Sequence, residues 1–538
     1  MVAVLVAAAI ALPVLVVLQN IFAPSEQGAT GVWGHLAQTV LGEYVRNSLL
    51  LMAGVAFGVI FGGVLTAWII TMCRFPGRRV FEWALLLPMA MPAYVMAYAY
   101  TDLLQFSGPV QMALREAMGW SAGQYRFPDV RSLGGAVLMF SLVLYPYVYL
   151  LARAAFLEQS DSMLEMARVS GYSPWGTFLH VALPLARPGI VAGAALALME
   201  TLADFGTVSY FGVPTFTTGI YRAWFSLGDH TAAAQLSAAL LGFVFLILLI
   251  ERITRARAGF HSSSQRKQLR NVYPLRGAWL PLAFVFCAVP VVFGFLLPAG
   301  VMLHRALTSG DAQFGVRYVQ LTFNTVTLAG LTAILAVTLA LAAGYAARSS
   351  RWAVRVANRI AGLGYAVPGA VIAVGVLIPI TRLDHALGAA IESFGGANPG
   401  LLLTGGVAAL VYAYLVRFFA VALQSVDAGL SKITPNMDSA ARSLGLGPAA
   451  TLARVHAPLL WRSALAAGLL VFVDVMKELP VTFVMRPFNF DTLAVQAYTL
   501  ASDERLSEAS TAALTIVAVG LIPLLALSRM MLNPPREK

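Results

Sequence analysis

Long apolar stretches recur along the whole chain, and this recurrence limits the possible folds more than any other feature of the sequence. We count twelve stretches of about 20 residues, the length that an α-helix needs to cross a hydrocarbon core about 30 Å thick. Their residues are continuously apolar, unlike the alternating strands of a membrane barrel. Hydrophobic residues make up 59% of the 538 residues and charged residues 11%. The sequence therefore predicts an all-α integral membrane protein.

The predicted spans form two sets of six. They cover residues 2–22, 47–72, 83–105, 133–156, 186–205 and 233–252, then 279–303, 324–346, 358–381, 401–425, 461–478 and 508–530. Basic residues concentrate in three places, which are CRFPGRR (73–79), residues 252–276, and the loop with Arg348, Arg351, Arg355 and Arg359. The positive-inside rule predicts that these loops and both termini are cytoplasmic. The formal net charge of +11 is therefore attributed to membrane topology rather than to nucleic-acid binding.

The two sets of spans are copies of one another. Asn47 recurs as Asn324 at an offset of 277, and residues 163–184 align with 437–458 at an offset of 274. We predict a first half at residues 1–256, a basic cytoplasmic linker at 257–277 and a second half at 278–538. Six spans per copy is an even number, so both copies face the same way. They are expected to be related by a pseudo-twofold axis along the membrane normal, with a pathway between them.

The first span lacks a basic n-region, and a cleaved signal peptide is the alternative to a membrane span here. Its Pro13-Val14 recurs as Pro290-Val291 in the seventh span. The first span is therefore predicted to be a transmembrane helix.

Two aligned cytoplasmic segments lie between the fourth and fifth span of each copy. They read MLEMARVSGYSPWGTFLHVALP (163–184) and MDSAARSLGLGPAATLARVHAP (437–458). Gly171 and Gly445 can adopt the positive φ that ends a helix, while Pro184 and Pro458 suit the first turn of another. The pattern predicts a short helix, a turn and a second short helix that project from the membrane. A helical hairpin that only caps the bundle is the alternative.

These two segments resemble the EAA loops of ABC importer permeases, whose pattern is E-A-A, three residues, G, nine residues and I-x-L-P. The matching residues are Glu165, Ala167, Gly171 and Pro184 in the first copy, and Ala440, Ala441, Gly445 and Pro458 in the second, where Ser439 replaces the glutamate. The resemblance implies that each loop docks in an ATP-binding subunit, and the missing glutamate implies that the two contacts are unequal. The chain contains no G-x-x-x-x-G-K-[ST] phosphate loop. We therefore expect no catalysis by this chain, with ATP and Mg²⁺ held by partner subunits.

Acidic residues recur at the end of the fifth span of each copy. The pairs are Glu200 with Asp204, and Asp474 with Glu478, and a spacing of four predicts that each pair shares one helix face. Acids near a span usually face a bundle interior or an aqueous pathway, and four carboxylates would suit a hard cation. Internal ion pairs that fix the helix ends are the alternative, which Lys477 favours.

Three runs resemble the ferric-iron branch of the binding-protein-dependent ABC permeases, in which fused two-copy forms occur. They are METLADFGTVSYFG (199–212), TFTTGIYRAWFSLGD (215–229) and MKELPVTFVMRPFNFDTLAV (476–495). The resemblance implies a bacterial inner-membrane permease that translocates Fe³⁺ as substrate, with a periplasmic ferric-binding protein, two ABC ATPase subunits and no cofactor of its own. Permeases for thiamine, polyamines, sulfate or phosphonates share the EAA loop, so that loop does not identify the substrate.

Other features carry weaker expectations. Tyr145 and Tyr147 recur as Tyr412 and Tyr414 and could line the pathway, although tyrosines in spans more often pack or anchor at the interface. A secondary transporter of the major facilitator type also has twelve helices in two parallel halves, but it would not explain the paired EAA-like segments. A sensor or scaffold would need a soluble signalling domain, which the sequence does not contain.

Overall fold

The computed structural model describes residues 2–22, 32–121, 123–159, 161–256, 273–308, 315–348, 352–397, 400–431 and 433–532. Most of the predicted linker, including HSSSQRKQ (261–268), lies outside these residues, as does Arg351. The described chain is almost entirely helical. Its only sheet pairs Cys73–Arg74 in parallel with Tyr273–Pro274.

The helices of the first half of the chain are α1 Val2–Gln19, α2 Val32–Thr39, α3 Leu41–Met72, α4 Arg78–Ala84, α5 Ala93–Leu104, α6 Pro109–Met118, α7 Leu133–Glu158, α8 Asp161–Val169, α9 Pro174–Thr177, α10 Leu183–Ala203, α11 Gly206–Tyr210, α12 Phe216–Tyr221 and α13 His230–Ala256. Those of the second half are α14 Trp279–Val291, α15 Leu297–Thr308, α16 Val316–Ala347, α17 Trp352–Ala361, α18 Gly369–Ser393, α19 Val407–Leu430, α20 Pro435–Ser443, α21 Pro448–Thr451, α22 Ala457–Met476, α23 Pro480–Met485, α24 Leu493–Ser502 and α25 Leu506–Leu532.

Among the described residues, ten helices are long and apolar enough to cross a membrane. The number is eleven if the bent pair Arg78–Ala90 and Ala93–Met118, which meets at 90°, counts as one span. The remaining predicted span, the first at residues 2–22, corresponds to the apolar helix Ala3–Gln19, which is shorter than the roughly 20 residues of a typical span. The protein is therefore an all-helical, multi-pass membrane protein.

The bounds of two predicted spans differ from the structure because prolines interrupt the helices there. The span predicted at 83–105 breaks between α4 and α5, where Met91 before Pro92 is extended with ψ 115°. The span predicted at 358–381 is broken in the same way, since Val367 before Pro368 has ψ 123° and the long helix runs instead over Gly369–Ser393. The helical region is sterically disfavoured for a residue that precedes proline, and Met91 and Val367 adopt the extended alternative. Both copies thus enter their third span through an irregular turn.

Wide π-helical turns precede three other prolines. The turns Phe178–Ala182, Val292–Leu296 and Leu452–His456 are each followed by one residue and then by Pro184, Pro298 or Pro458. Proline has no N–H to donate, and its ring collides with the carbonyl four residues earlier. A π turn forms i→i+5 hydrogen bonds in place of i→i+4 bonds. The helix can therefore accommodate the proline and continue. The spans predicted from 186 and 461 consequently begin earlier, as Pro174–Ala203 and Arg454–Met476.

Contacts divide the chain into two compact units whose boundaries differ from those of the predicted sequence halves. One unit, here called unit one, contains Met1–Gln38, Gly219–Leu241 and Ala312–Thr499. The other, unit two, contains Thr39–Thr218, Gly242–Asp311 and Leu500–Lys538. The first span of each sequence copy therefore belongs to the unit that holds most of the other copy.

In unit one, α1 packs against α16, α17 and α18. The Tyr412 hydroxyl donates a hydrogen bond to the carbonyl oxygen of Ala9 at 2.6 Å. A Cβ atom at Gly375 would lie 2.4 Å from the carbonyl oxygen of Pro13, so only glycine permits this approach. The helix α1 is thus closely fitted to helices of the second copy.

In unit two, α14 and α15 pack with helices of the first copy. Arg305 of α15 donates two hydrogen bonds of 2.8 Å to the buried carboxylate of Asp102. The Tyr100 hydroxyl donates to the carbonyl oxygen of Phe293 at 2.7 Å. Because bidentate arginine–carboxylate pairs combine charge with fixed geometry, this contact firmly joins the seventh predicted span to unit two.

One polar contact occurs in both units at equivalent positions. The Asn47 amide donates to the carbonyl oxygen of Pro214 at 3.0 Å, and the Asn324 amide donates to that of Asp491 at 3.1 Å. Both partners are displaced by 277 residues. The sequence repeat is therefore accompanied by a repeated tertiary contact.

Candidate functional site

The two EAA-like segments fold in the same way at their glycines. Gly171 has φ 83° and Gly445 has φ 77°, as the sequence predicts. Tyr172 N donates to Ala167 O and Gly171 N to Arg168 O, while Leu446 N donates to Ala441 O and Gly445 N to Arg442 O. These are the two hydrogen bonds of a Schellman motif. Each segment is therefore a short helix, α8 or α20, ended by a glycine and followed by a second short helix.

One alanine in the first short helix of each segment is buried, whereas the tip of each segment is exposed. Ala167 and Ala441 are buried, whereas Glu165, Ser439 and Ala440 are exposed. The tips expose Val169 to 89% and Leu444 to 80%. Pro184 is half-buried and Pro458 exposed, each in the first turn of its span. The two tips therefore present apolar side chains on the surface of the protein.

The second segment is attached to its bundle through polar groups. Arg348, just beyond the end of α16, forms an ion pair with Asp438 of α20. His456 Nε2 lies 2.8 Å from Asp438 Oδ1, and the Tyr345 hydroxyl lies 3.2 Å from His456 Nδ1. Burial raises the pKa of Asp438, but Arg348 and His456 lower it more, so that the net shift is downward.

The first segment is attached through aromatic rings instead. Trp68, which aligns with Tyr345 at an offset of 277, packs against Phe178 with ring centroids 4.9 Å apart. It also meets Phe156 edge-on at 5.5 Å, and Trp175 packs against Phe178 at 5.0 Å. The two segments thus share a backbone fold but differ in the chemistry of their attachment.

The acidic pairs do not share helix faces, and the prediction that they do is wrong. The helix α10 ends at Ala203 and leaves Asp204 extended, with φ −72° and ψ 138°. The helix α22 ends at Met476, so Glu478 lies beyond it. Both side chains cap the short helix that follows. Asp204 accepts from Thr207 N at 2.8 Å, and Glu478 accepts from Val481 N at 3.0 Å.

Glu478 also belongs to a buried ion pair. Arg417 Nη1 lies 3.3 Å from Glu478 Oε1, and the two side chains are 7% and 5% exposed. Gly369 makes room for this pair, because a Cβ there would lie 2.3 Å from Arg417 Nη1. Nearby, Thr482 Oγ1 donates to the carbonyl oxygen of Glu478 at 2.7 Å. The sequence alone indicates a partner for Arg417, because an arginine inside an apolar span needs one.

The remaining acids are placed differently. Asp474 Oδ1 lies 2.9 Å from Lys477 Nζ, while Glu200 is half-buried on the last turn of α10. Arg417 aligns with Leu150 at the offset of 267, so the first copy has no arginine at the corresponding position. Among the described residues, no group of three or more His, Cys, Asp or Glu side chains is arranged to hold a metal ion.

Three of the four repeated tyrosines have hydrogen-bonded hydroxyls that account for their positions by packing. Tyr145 donates to Leu85 O at 2.6 Å, Tyr412 donates to Ala9 O, and the Tyr414 hydroxyl lies 2.5 Å from Thr482 Oγ1. Tyr147 is half-buried. These contacts favour a structural role for Tyr145, Tyr412 and Tyr414.

Comparisons with known proteins identify the family. Residues 54–257 match the family model described as the binding-protein-dependent transport system inner membrane component. The molybdenum transport system permease protein ModB of Escherichia coli is 32% identical over 233 residues, which cover 41% of this chain and 96% of that protein. The chain belongs to this permease family.

Two further relatives of this permease differ in the extent of the match. The Fe(3+)-transport system permease protein FbpB 2 of Haemophilus influenzae is 25% identical over 521 residues, covering 95% of this permease and 94% of that protein. The sulfate transport system permease protein CysT of E. coli is 28% identical over 230 residues, covering 41% and 78%. The permease is thus an ABC-type transport component without catalytic activity of its own, and its family works with a binding protein and ATPase subunits.

Proposed function

We propose that this permease is the membrane subunit of an ATP-driven importer that translocates ferric iron. The observation that carries the proposal is the match to a Fe(3+)-transport permease along 95% of the chain. The molybdenum and sulfate permeases match 41% of it. A fused two-copy chain is thus matched from end to end by a relative whose name specifies iron.

The two EAA-like segments are proposed as the docking sites of two ABC ATPase subunits, which bind ATP and Mg²⁺. The identical Schellman motifs and the exposed tips at Val169 and Leu444 support this role. A helix with an exposed apolar tip fits a groove on a partner. Closure of the ATPase pair would then move α8 and α20, and through them the spans that follow.

The topology follows from this docking. We propose that the EAA-like segments and both termini lie on the cytoplasmic side of a bacterial inner membrane, with a periplasmic ferric-binding protein on the opposite face. The concentration of basic residues in the loops on the side of these segments supports the orientation.

The first-copy acids are the stronger candidates for contact with iron. Glu478 is engaged by Arg417 and Asp474 by Lys477, so the second copy presents carboxylates whose charge is largely balanced. Glu200 lies half-buried on the last turn of α10, next to the break at Asp204. Carboxylate oxygens suit Fe³⁺ as a hard ion, and we propose that Glu200 contacts the passing substrate.

An oxyanion is the second candidate substrate. Lys477, together with the molybdenum and sulfate relatives, favours it, because an ammonium group attracts anions rather than metal cations. Lys477 aligns with Ala203, so this positive charge occurs once. A ferric ion that travels with a chelating anion would use both the negative carboxylates and the positive Lys477 ammonium group.

Reconstitution tests the proposal. The permease, its candidate ATPase and its candidate binding protein are placed in vesicles, and uptake of radioactive iron, molybdate and sulfate is measured with and without ATP. We expect ATP-dependent uptake of iron alone. Uptake of an oxyanion would assign the second candidate, and uptake driven by a proton gradient without the ATPase would refute the ATP-driven mechanism.

A further inference from the structure

The helix α6 carries an apolar stripe that the protein does not bury. Its residues Val110, Ala113, Leu114, Ala117 and Met118 follow the spacing that places side chains on one helix face. A helix of a globular protein turns such a face toward the core. Here none of the five is buried, and Val110 and Met118 are 40% and 58% exposed.

The polar flank of α6 is the part that holds it to unit two. Gln111 is the one buried residue of this helix, and its amide donates to Leu104 O at 2.8 Å. Tyr125 donates to Gln111 Oε1 at 2.6 Å, and Arg115 donates to Tyr125 at 2.9 Å and to Phe106 O at 3.0 Å. The orientation of α6 is therefore fixed by polar contacts, with the apolar stripe left uncovered.

We propose that the apolar stripe of α6 lies in the membrane–water interface and packs against lipid. A water-facing stripe would be unfavourable in every state of the transporter, while a binding protein that docks and leaves would cover it only part of the time. Lipid is the partner that is always present. This helix would then lie in the membrane plane, as amphipathic interfacial helices do.

The position of α6 in the chain supports the same partner. Four residues separate it from Leu104, where α5 ends, and a chain of this length reaches at most about 18 Å. The helix therefore stays close to a membrane-embedded segment. Trp120 follows it and stacks on Tyr125 with centroids 5.5 Å apart, and Phe106 before it is exposed beneath the Arg115 guanidinium. Tryptophan, tyrosine and arginine are the side chains that favour the interface.

Site-directed fluorescence in lipid vesicles tests this placement. Cys73 and Cys287 are both buried, so a thiol dye labels an introduced cysteine selectively. The variants Ala117→Cys and Ala113→Cys place the dye on the apolar stripe. Glu116→Cys is the matched control, because Glu116 is an exposed neighbour on another face of the same helix. Equal unfolding midpoints verify that the variants are folded.

We expect nitroxide-labelled lipids to quench the dye at positions 117 and 113 several-fold more strongly than at 116, and aqueous iodide to give the reverse order. Equal quenching by lipid at all three positions would overturn the proposal. Protection from iodide at 117 that requires added binding protein would also overturn it, and would assign the stripe to protein docking. The measurement needs neither iron nor ATP, so its outcome is independent of the proposed substrate.

Discussion

Arg417 and Glu478 form a buried ion pair at the break between α22 and α23, with 3.3 Å between Nη1 and Oε1. The same carboxylate accepts a hydrogen bond from Val481 N and thereby caps α23. This pair explains how an acidic residue persists beside an apolar span. It also gives Glu478 a structural function that does not involve a transported ion.

The first prediction concerns the partners of this pair. Glu478→Gln and Arg417→Met should each lower the free energy of unfolding by about 3–5 kcal/mol, because each leaves one buried charge unpaired. Thermal unfolding of the purified protein in detergent measures the loss. The double variant should recover much of it, since neither charge then remains. An unchanged midpoint in Glu478→Gln would show that the pair does not support the fold.

Gly369 provides a second and sharper test of the same geometry. A Cβ here would lie 2.3 Å from Arg417 Nη1 and 3.0 Å from Glu478 Oε1. Gly369→Ala should therefore separate the pair and lower the free energy of unfolding by about 1–3 kcal/mol. The matched control is Gly330→Ala in α16, where a Cβ meets nothing within 4 Å. This control should be neutral or stabilising by up to about 1 kcal/mol. A similar loss in both variants would contradict the steric explanation.

The sequence predicts local features of this permease better than its long-range contacts. The positive φ of Gly171 and Gly445 is predictable because it is a local requirement at a helix end. No local sequence pattern predicts that the first span of each copy belongs to the unit of the other copy. The contacts of α1 with α17 and α18 join residues separated by more than half of the chain. Apolar length alone predicts a span, but not the helices on which it packs.

The acidic pairs show why spacing alone does not predict a shared helix face. A separation of four residues predicts one helix face only while the helix continues. In the second copy Pro480 signals a new helix start, but in the first copy Gly206 occupies the aligned position and gives a weaker signal. The hydrogen bonds by which Asp204 and Glu478 cap the following helices are visible only in the structure.

The third prediction uses the polar attachment of the second EAA-like segment. Asp438→Asn weakens the contacts of α20 with Arg348 and His456, so motion of the docked ATPase should reach the spans less effectively. We expect the complex to assemble normally while the amount of substrate imported per ATP hydrolysed falls several-fold. The control is Asp503→Asn, an exposed acid outside both segments. Equal coupling in the two variants would exclude a transmitting role for Asp438.

The pKa of Asp438 adds a pH dependence to this prediction. Burial raises this pKa, but Arg348 and His456 lower it more, to below the ordinary value of 3.8. A lowered pKa means that the carboxylate stabilises the folded state above 3.8, and that this contribution disappears as the pH falls through the folded-state value. We therefore expect Asp438→Asn to lower the free energy of unfolding at pH 7, and this loss to shrink below about pH 4.

The fourth prediction compares the repeated asparagine contacts. Asn47→Ala removes the donor to the carbonyl of Pro214, and Asn324→Ala removes the donor to that of Asp491. Each substitution should lower the free energy of unfolding by about 1–3 kcal/mol. Because the two contacts are equivalent, their losses should agree more closely with each other than with that of an unrelated substitution. Unfolding midpoints of both variants provide the comparison. A large loss in one and none in the other would show that the repeated geometry is not energetically repeated.

The last prediction separates transport from stability at the acidic breaks. Glu200→Gln changes the charge of a half-buried residue on α10, whereas Glu478→Gln breaks a buried ion pair. We therefore expect Glu200→Gln to lower iron uptake at least several-fold with little change in unfolding midpoint, and Glu478→Gln to lower the midpoint itself. ATPase assembly, measured by co-purification, is the shared control. If Glu200→Gln transports iron normally in a fully assembled complex, Glu200 is not a contact for the substrate, and the pathway must use other groups.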